Sequence, residues 1–276
     1  MTLKKCASKR PLKHYLVAAL IPALMVVSGC TAASALKERE GSSAIAQTST
    51  PESSTSQSAT ARAADTVNIP AFAKVLTAYV NDTGLVDYDR LQTNRQDLDA
   101  FNASVQLAQP GDYANWSEAD QIAFLINAYN SLTLKSIIDE SPIKSSIKDI
   151  RGVWQFKRHG ILQDEKTLNN IEHDMLRANF TEPRIHAALV CAALSCPYLR
   201  QEPFTGDNLD AQLDDQVKIF LSRPEVLTID KANNEVQLSE IFSWFGQDWI
   251  AGFGVEAGFA GNEKEKGLFR NSRGGH

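Results

Sequence analysis

Hydrophobic and polar residues are distributed between residues 67 and 253 with the periods expected of regular secondary structure. In several stretches the apolar positions recur every three or four residues, which is typical of helices with one buried face. Polar and small residues separate these stretches. The pattern predicts helices over residues 69–80, 91–107, 167–178 and 209–221, with a final aromatic helix from Ser239 onward.

Strand signals are fewer and shorter. Residues 83–88 indicate a turn followed by a short strand, and residues 152–161 alternate enough to predict a hairpin. Residues 226–238 predict two strands around the polar turn at 231–234. The expected fold class is therefore α+β, a helix-rich single domain with a small antiparallel sheet.

The longest predicted helix covers residues 117–138 and is apolar on every face. Ser117 is a favourable N-cap, and a helix without a polar face is expected to lie at the centre of a domain. Asn127 and Asn130 interrupt this helix with amide groups. Since an unpaired buried amide costs roughly 1–3 kcal/mol, both side chains must find hydrogen-bond partners.

The first thirty residues have the pattern of an export signal. A basic stretch is followed by an apolar run over residues 15–27, too short to span a bilayer stably, and then by Val27-Ser28-Gly29-Cys30. This ending resembles the lipobox of bacterial lipoproteins, which implies that residues 1–29 are removed and Cys30 is lipidated. Thr31 after the cysteine is similar to the signal for the outer membrane, with the protein facing the periplasm. A plain secreted protein, cleaved near residue 32 or 33, is the alternative.

Composition and charge define the remaining boundaries. We expect residues 30–65 to be the lipidated cysteine that the lipobox resemblance implies and a Ser/Thr/Ala-rich linker, residues 66–253 to be the globular domain, and residues 254–276 to be a polar tail. The chain has 28 basic and 33 acidic residues, and five of the basic ones precede Cys30, so the mature charge is about −10. Such a surface disfavours nucleic acid and anionic lipid, so the expected membrane attachment is the lipid anchor.

One acidic residue is placed where an apolar side chain is expected. Glu172 falls within the buried stripe of the helix after Thr167, and a carboxylate in apolar surroundings either pairs with a cation or has a raised pKa. His173 points about 100° away, toward Arg177. Glu172 either orients a histidine or forms a structural ion pair with one of Arg177, Arg184 and Arg200.

The other candidate catalytic residues lie between positions 186 and 197. A cysteine nucleophile needs a base within hydrogen-bond reach, and His186 and Cys196 are suitable residue types. Cys196 lies at a break before Pro197, whereas Cys191 lies in an apolar run. Because the compartment of an exported protein is oxidising, a Cys191–Cys196 disulfide is the competing arrangement. No histidine has the spacing of a metal site, so neither metal nor cofactor is expected.

Several motifs together resemble domain-of-unknown-function family 547. The resemblance extends over residues 67–249 and implies a bacterial exported protein. It also implies a rearranged papain- or transglutaminase-like fold, in which Cys196 is the nucleophile, His186 the base, and Glu172 or Asn127 the orienting group. The motifs are those at residues 123–133, 147–150, 170–177, 183–197 and 238–245.

Two functions follow as hypotheses. The first is an envelope lipoprotein that hydrolyses or transfers a peptide or amide bond through Cys196 and His186. The second is a non-catalytic envelope lipoprotein that binds a protein or a glycan and contains a structural disulfide. The expected partners are the membrane, through the lipid on Cys30, and a peptide or envelope protein, but no nucleic acid.

Overall fold

A computed structural model describes residues 62–192 and 196–254 of the chain. The predicted signal peptide, Cys30, most of the linker and nearly all of the polar tail lie outside these residues. The described helices are α1 (Ala63–Thr66), α2 (Ile69–Tyr79), α3 (Tyr88–Thr93), α4 (Gln96–Leu107), α5 (Pro110–Asn115), α6 (Glu118–Ile138), α7 (Leu209–Leu221), α8 (Glu240–Trp244) and α9 (Gly246–Phe253). Short 3₁₀ turns cover Ile147–Asp149, Pro183–Ala187 and Gly206–Asn208, and a π-helix covers Asn170–Arg177.

Two antiparallel two-stranded sheets complete the architecture. Strands β1 (Arg158–Ile161) and β2 (Asp164–Thr167) form the first, and β3 (Leu227–Asp230) and β4 (Glu235–Leu238) form the second. The α+β, helix-rich fold class is thereby confirmed, with two small sheets where one was expected. Among the described helices, none is long and apolar enough to cross a membrane.

Helix α6 lies at the centre of the fold, as its pattern predicts. Ser117 caps it, with its hydroxyl oxygen 3.1 Å from the backbone nitrogen of Asp120. Nearly every residue from Ile122 to Ile138 is buried, and α1, α3, α4, α7 and the π-helix all pack on it. Because α6 is surrounded, the elements packed on it are all arranged around one rigid helix.

The amino-terminal helices form one wall of the core. Helices α2 and α4 pack together through the rings of Phe72 and Phe101, which are stacked with their centroids 4.6 Å apart. Helix α1 starts at Ala63, whose side chain is buried, so regular structure begins three residues before the predicted domain boundary at residue 66.

The single helix predicted over residues 91–107 is wrong, because the structure has two helices there. Helix α3 ends before Asn94, whose backbone N–H and side-chain amide both donate to the carbonyl oxygen of Arg90. Helix α4 then starts after Arg95, whose guanidinium bridges Asp99 and Asp139. The local capping by Asn94 competes with helix continuation, although the apolar period runs through the break.

The hairpin predicted at residues 152–161 is displaced toward the carboxyl terminus. Strand β1 begins only at Arg158, and the two-residue turn is Leu162-Gln163, with φ of 51° and 57°. Such φ values are required by a type I′ turn and are unusual for these residue types. The N–H groups of Leu162 and Gln163 donate to the carbonyl oxygens of Val105 and Gln106 at the end of α4. These hydrogen bonds to α4 therefore stabilise the turn, although its sequence lacks the Asn-Gly pair that is typical of type I′ turns.

Candidate functional site

The π-helix Asn170–Arg177 carries three ionisable side chains that the sequence analysis names: Glu172, His173 and Arg177. At its start, the hydroxyl oxygen of Thr167 accepts a hydrogen bond from the N–H of Asn170 at 3.1 Å. Within it, Nδ1 of His173 lies 3.0 Å from Nη1 of Arg177. Since a guanidinium only donates hydrogen bonds, this nitrogen of His173 is the acceptor. The wide turn of a π-helix is frequently found at functional sites.

Glu172 is partly buried, and it forms no salt bridge with any residue that the structure describes. Tyr129 of α6 is its neighbour: burial and the charge of Glu172 raise the pKa of the Tyr129 hydroxyl well above its ordinary value. Burial raises the pKa of Glu172, while the Tyr129 hydrogen bond and the charge of Arg177 lower it in part. Glu172 thus has the raised pKa that the sequence allows, and the charge of Arg177 compensates its carboxylate in part.

His186 contacts a carboxylate that comes from the opposite end of the domain. It lies on the 3₁₀ turn Pro183–Ala187, and its Nε2 is 2.8 Å from Oδ2 of Asp248 on α9. Arg177 forms a bidentate salt bridge with the same carboxylate: Nε donates to Oδ2 at 2.5 Å, and Nη2 donates to Oδ1 at 3.0 Å. Asp248 therefore joins the π-helix, the 3₁₀ turn and α9.

The protonation states of this pair follow from burial and charge. Burial would raise the pKa of Asp248, but hydrogen bonds from His186 and Arg177 outweigh it and hold that pKa well below its ordinary value. Burial and the charge of Arg177 together lower the pKa of His186, and they outweigh the hydrogen bond and the charge of Asp248, which raise it. At neutral pH, His186 is therefore neutral and donates its Nε2–H to an ionised Asp248. The lone pair of His186 is then on Nδ1.

Phe245 packs against both residues that bind Asp248. Its ring is stacked on the imidazole of His186, with the centroids 3.8 Å apart, and the guanidinium of Arg177 lies 4.8 Å from its centroid. Only 1% of the His186 side chain is exposed. The imidazole is thus fixed in orientation by a hydrogen bond at its edge and an aromatic ring on its face.

Cys196 and Cys191 are joined in a disulfide, with their Cα atoms 5.9 Å apart. The carbonyl oxygen of Cys196 accepts a hydrogen bond of 2.5 Å from Nη1 of Arg223, whose guanidinium also lies 3.9 Å from the ring centroid of Tyr198. Of the two arrangements that the sequence leaves open for these cysteines, the structure contains the paired one. A nucleophilic role for Cys196 stays a prediction that concerns the reduced protein.

Asn127 has a different neighbourhood from the one that the family resemblance implies. Its amide donates to the carbonyl oxygen of Phe204 at 2.7 Å and accepts from the Phe204 N–H at 2.9 Å. Asn130 binds the backbone of Ala188 and Val190 in the same way, at 3.0 and 2.9 Å. Both amides therefore find partners, as burial requires, and His186 donates its Nε2–H to Asp248 rather than to Asn127.

Among the predicted site residues, the structure brings Glu172 and His186 into one network through Arg177 and Asp248. Asp248 and Phe245 were missed as site residues, because nothing in the local sequence links them to a histidine some sixty positions earlier. Phe245 has helical spacing with Trp249, which predicts a core position. Within residues 62–192 and 196–254, no group of three His, Cys, Asp or Glu side chains has a geometry that could hold a metal ion.

The comparisons with known proteins give one result. Residues 113–221 match the family model described as protein of unknown function, DUF547. The 109 matched residues of the 276-residue chain are similar to this family. The DUF547 segment contains Glu172, Arg177, His186 and both cysteines, whereas Asp248 lies beyond it. No curated protein and no solved structure matches the chain.

Proposed function

We propose that this chain is an exported lipoprotein of the cell envelope whose DUF547 domain binds a partner molecule and catalyses no reaction. The observation that carries the proposal is the disulfide between Cys191 and Cys196. A sulfur atom in a disulfide is not a nucleophile, because attack requires the thiolate. An oxidising compartment maintains such a bond.

The polar network around His186 supports the same conclusion. The Nε2–H of His186 is bound to Asp248, and the charge of Asp248 is compensated by Arg177. The imidazole is buried and stacked on Phe245. A network in which each charge has a partner stabilises the docking of α9 on the domain, and it accounts for these residues without a reaction.

Attachment to the membrane is proposed from the lipobox-like segment that ends at Cys30. Diacyl modification of this cysteine and the linker over residues 31–65 would tether the domain to the outer membrane, facing the periplasm. Metabolic labelling with a fatty acid tests this. Incorporation into the natural chain and its loss in Cys30→Ser is the expected result, and label that persists in Cys30→Ser contradicts it.

The binding role is tested by alkylating the exported full chain with iodoacetamide, with and without prior reduction, followed by mass spectrometry. We expect Cys191 and Cys196 to react only after a reductant is added. Alkylation of Cys196 in unreduced protein would overturn the proposal. A rate that rises through a midpoint well below the ordinary thiol value of about 8.5 would identify an activated nucleophile.

The pair of His186 and Asp248 favours a second candidate, a thiol hydrolase or acyltransferase that is active once the disulfide is reduced. A cysteine nucleophile requires a neutral histidine whose tautomer is fixed by a third group, and Asp248 supplies that group. In this candidate, His186 takes the proton of Cys196 through Nδ1. The thiolate attacks an amide carbonyl, the amine leaves with the proton, and water hydrolyses the thioester. The papain-like fold belongs to this candidate.

Matched variants distinguish the two candidates. Reduced natural protein, Cys196→Ala and Cys191→Ala are treated with a peptide-like thiol electrophile at pH 7. The hydrolase candidate requires fast labelling that is lost in Cys196→Ala and kept in Cys191→Ala, and slowed labelling in Asp248→Asn. Equal slow labelling of both single variants excludes it and leaves the binding role.

A further inference from the structure

An open cavity of about 420 Å³ lies away from the His186 network, and neither His186 nor Asp248 lines it. Three parts of the chain form its walls: the turn at residues 81–84, the segment at residues 198–202 that follows the disulfide, and the part of α7 that carries Gln216 and Ile219. Volumes of ~300–1,000 Å³ are typical of sites for small molecules. Its lining includes the side chains of Asn81, Asp82, Tyr198, Arg200, Glu202 and Gln216.

The walls of this cavity are held together by specific contacts. The side-chain amide of Gln216 on α7 donates to the carbonyl oxygen of Tyr198 at 2.7 Å, and that of Gln201 donates to the carbonyl oxygen of Val80 at 2.8 Å. Gly84 has a φ of +66°, and a Cβ atom there would lie 2.5 Å from Cβ of Tyr198. The turn at 81–84 and the segment at 198–202 therefore approach as closely as glycine permits.

The charge in the cavity is unsuited to an anion. Arg200 is the cation among the residues that line it, and its guanidinium is already bound to Glu202 and Asp215, each at 2.7 Å. Asp82 adds a further carboxylate, which forms no ion pair with the described residues and accepts one hydrogen bond, from Gln201 at 3.3 Å. A phosphate or carboxylate ligand would meet net negative charge.

Hydrogen-bonding capacity remains for a ligand that both donates and accepts. The oxygen of the Asn81 amide is occupied by the N–H groups of Thr83 and Leu85, which leaves its NH₂ group as a donor. The neighbouring Asp82 carboxylate is an acceptor. Adjacent hydroxyl groups of a sugar match a donor next to an acceptor. The ring of Tyr198, which Arg223 fixes from one face, supplies an apolar surface.

We propose that this cavity binds a neutral saccharide, with Asn81 and Asp82 hydrogen-bonding to adjacent hydroxyl groups and Tyr198 packing against the sugar ring. The inference rests on the proposed binding role and names its ligand class. The disulfide contributes to this site, because Cys196 anchors the segment at residues 198–202 that forms one wall. A wall that is fixed before binding loses less conformational entropy when the ligand binds.

Isothermal titration calorimetry of the oxidised full chain tests the inference, with maltotriose and triacetylchitotriose as probes. We expect at least one of them to bind with a Kd of about 1 mM or tighter. Asp82→Asn and Tyr198→Ala should each weaken binding at least ~5-fold. The matched control is Asp89→Asn, which removes an exposed carboxylate from α3 outside the cavity and should bind like the natural chain. If Tyr198→Ala does not fold, Asp82→Asn is sufficient.

Two results would overturn the inference. One is that the folded, oxidised protein binds neither saccharide, or binds one with an affinity that Asp82→Asn does not change. The other is that a lysine hexapeptide binds and both saccharides do not, which would make the ligand a basic peptide. These failures leave the proposed binding role intact if the cysteines are paired. Reactive Cys196 in unreduced protein overturns the binding role whatever the calorimetry gives.

Discussion

Nε2 of His186 and Oδ2 of Asp248 lie 2.8 Å apart although 62 positions separate the two residues in the chain. The contact joins the 3₁₀ turn Pro183–Ala187 to α9, and Arg177 adds the π-helix to the same carboxylate. One side chain from the last described helix therefore holds together the segments in which the sequence places its candidate chemistry.

Asp248→Asn should destabilise the domain, because it leaves the guanidinium of Arg177 without its anionic partner. Both side chains are about one-quarter exposed, so we expect a loss of ~1–3 kcal/mol in the free energy of unfolding, below the value for a fully buried pair. Urea denaturation followed by circular dichroism measures it. Asp89→Asn is the control and should change stability by less than ~0.5 kcal/mol. Equal effects of the two variants would show that the network contributes little.

Asn127→Ala should lower the free energy of unfolding more than the same substitution at an exposed asparagine. It leaves the N–H and the carbonyl oxygen of Phe204 buried without partners, at a cost of ~2–4 kcal/mol for the two groups. Asn115→Ala provides the comparison, since its amide makes one exposed hydrogen bond to Gly111. Thermal and urea unfolding of both variants should separate them clearly. A similar small loss in each would mean that water replaces Asn127.

Reduction of the Cys191–Cys196 disulfide should lower the free energy of unfolding by ~2 kcal/mol, the value expected from chain entropy for so short a loop. The double variant Cys191→Ser with Cys196→Ser should show the same loss and no response to dithiothreitol. Denaturation with and without dithiothreitol measures both. A natural chain whose stability does not respond to dithiothreitol would contradict the pairing.

His159 should make the domain less stable as the pH falls below neutrality. Burial beneath α6 lowers the pKa of His159 from 6.5 to about 4, helped by the charges of Lys157 and Lys135. Between these two values the unfolded chain binds a proton that the folded chain does not, so stability decreases as the pH falls from about 6.5 toward 4. The full effect of this one residue is up to ~3 kcal/mol.

The measurement is the free energy of unfolding at pH 7 and pH 4.5 for the natural chain and for His159→Gln. Other titrating groups, including His186, whose pKa is also lowered, contribute to both proteins. The variant should therefore lose less stability on acidification than the natural chain. Equal losses of stability in the two proteins would show that protonation of His159 does not destabilise the folded domain.

Features that depend on neighbouring residues could be predicted from the sequence. The apolar period and the Ser117 cap predict α6, and the amphipathic pattern predicts α7 over the residues where it lies. Burial of α6 requires partners for Asn127 and Asn130, and both have them. In each case the deciding forces act within a turn or two of helix, or follow from burial alone.

The tertiary structure decided features that depend on residues distant in the chain. The Leu162-Gln163 turn exists because the end of α4 binds its N–H groups, which no local turn signal indicates. The partner of His186 is Asp248, rather than Glu172 or Asn127, because the packing of α9 brings that carboxylate to the imidazole. The choice between a free and a paired Cys196 also required the positions of both Cα atoms. Local propensity is readable from a sequence, whereas the meeting of two remote side chains depends on how the whole chain packs.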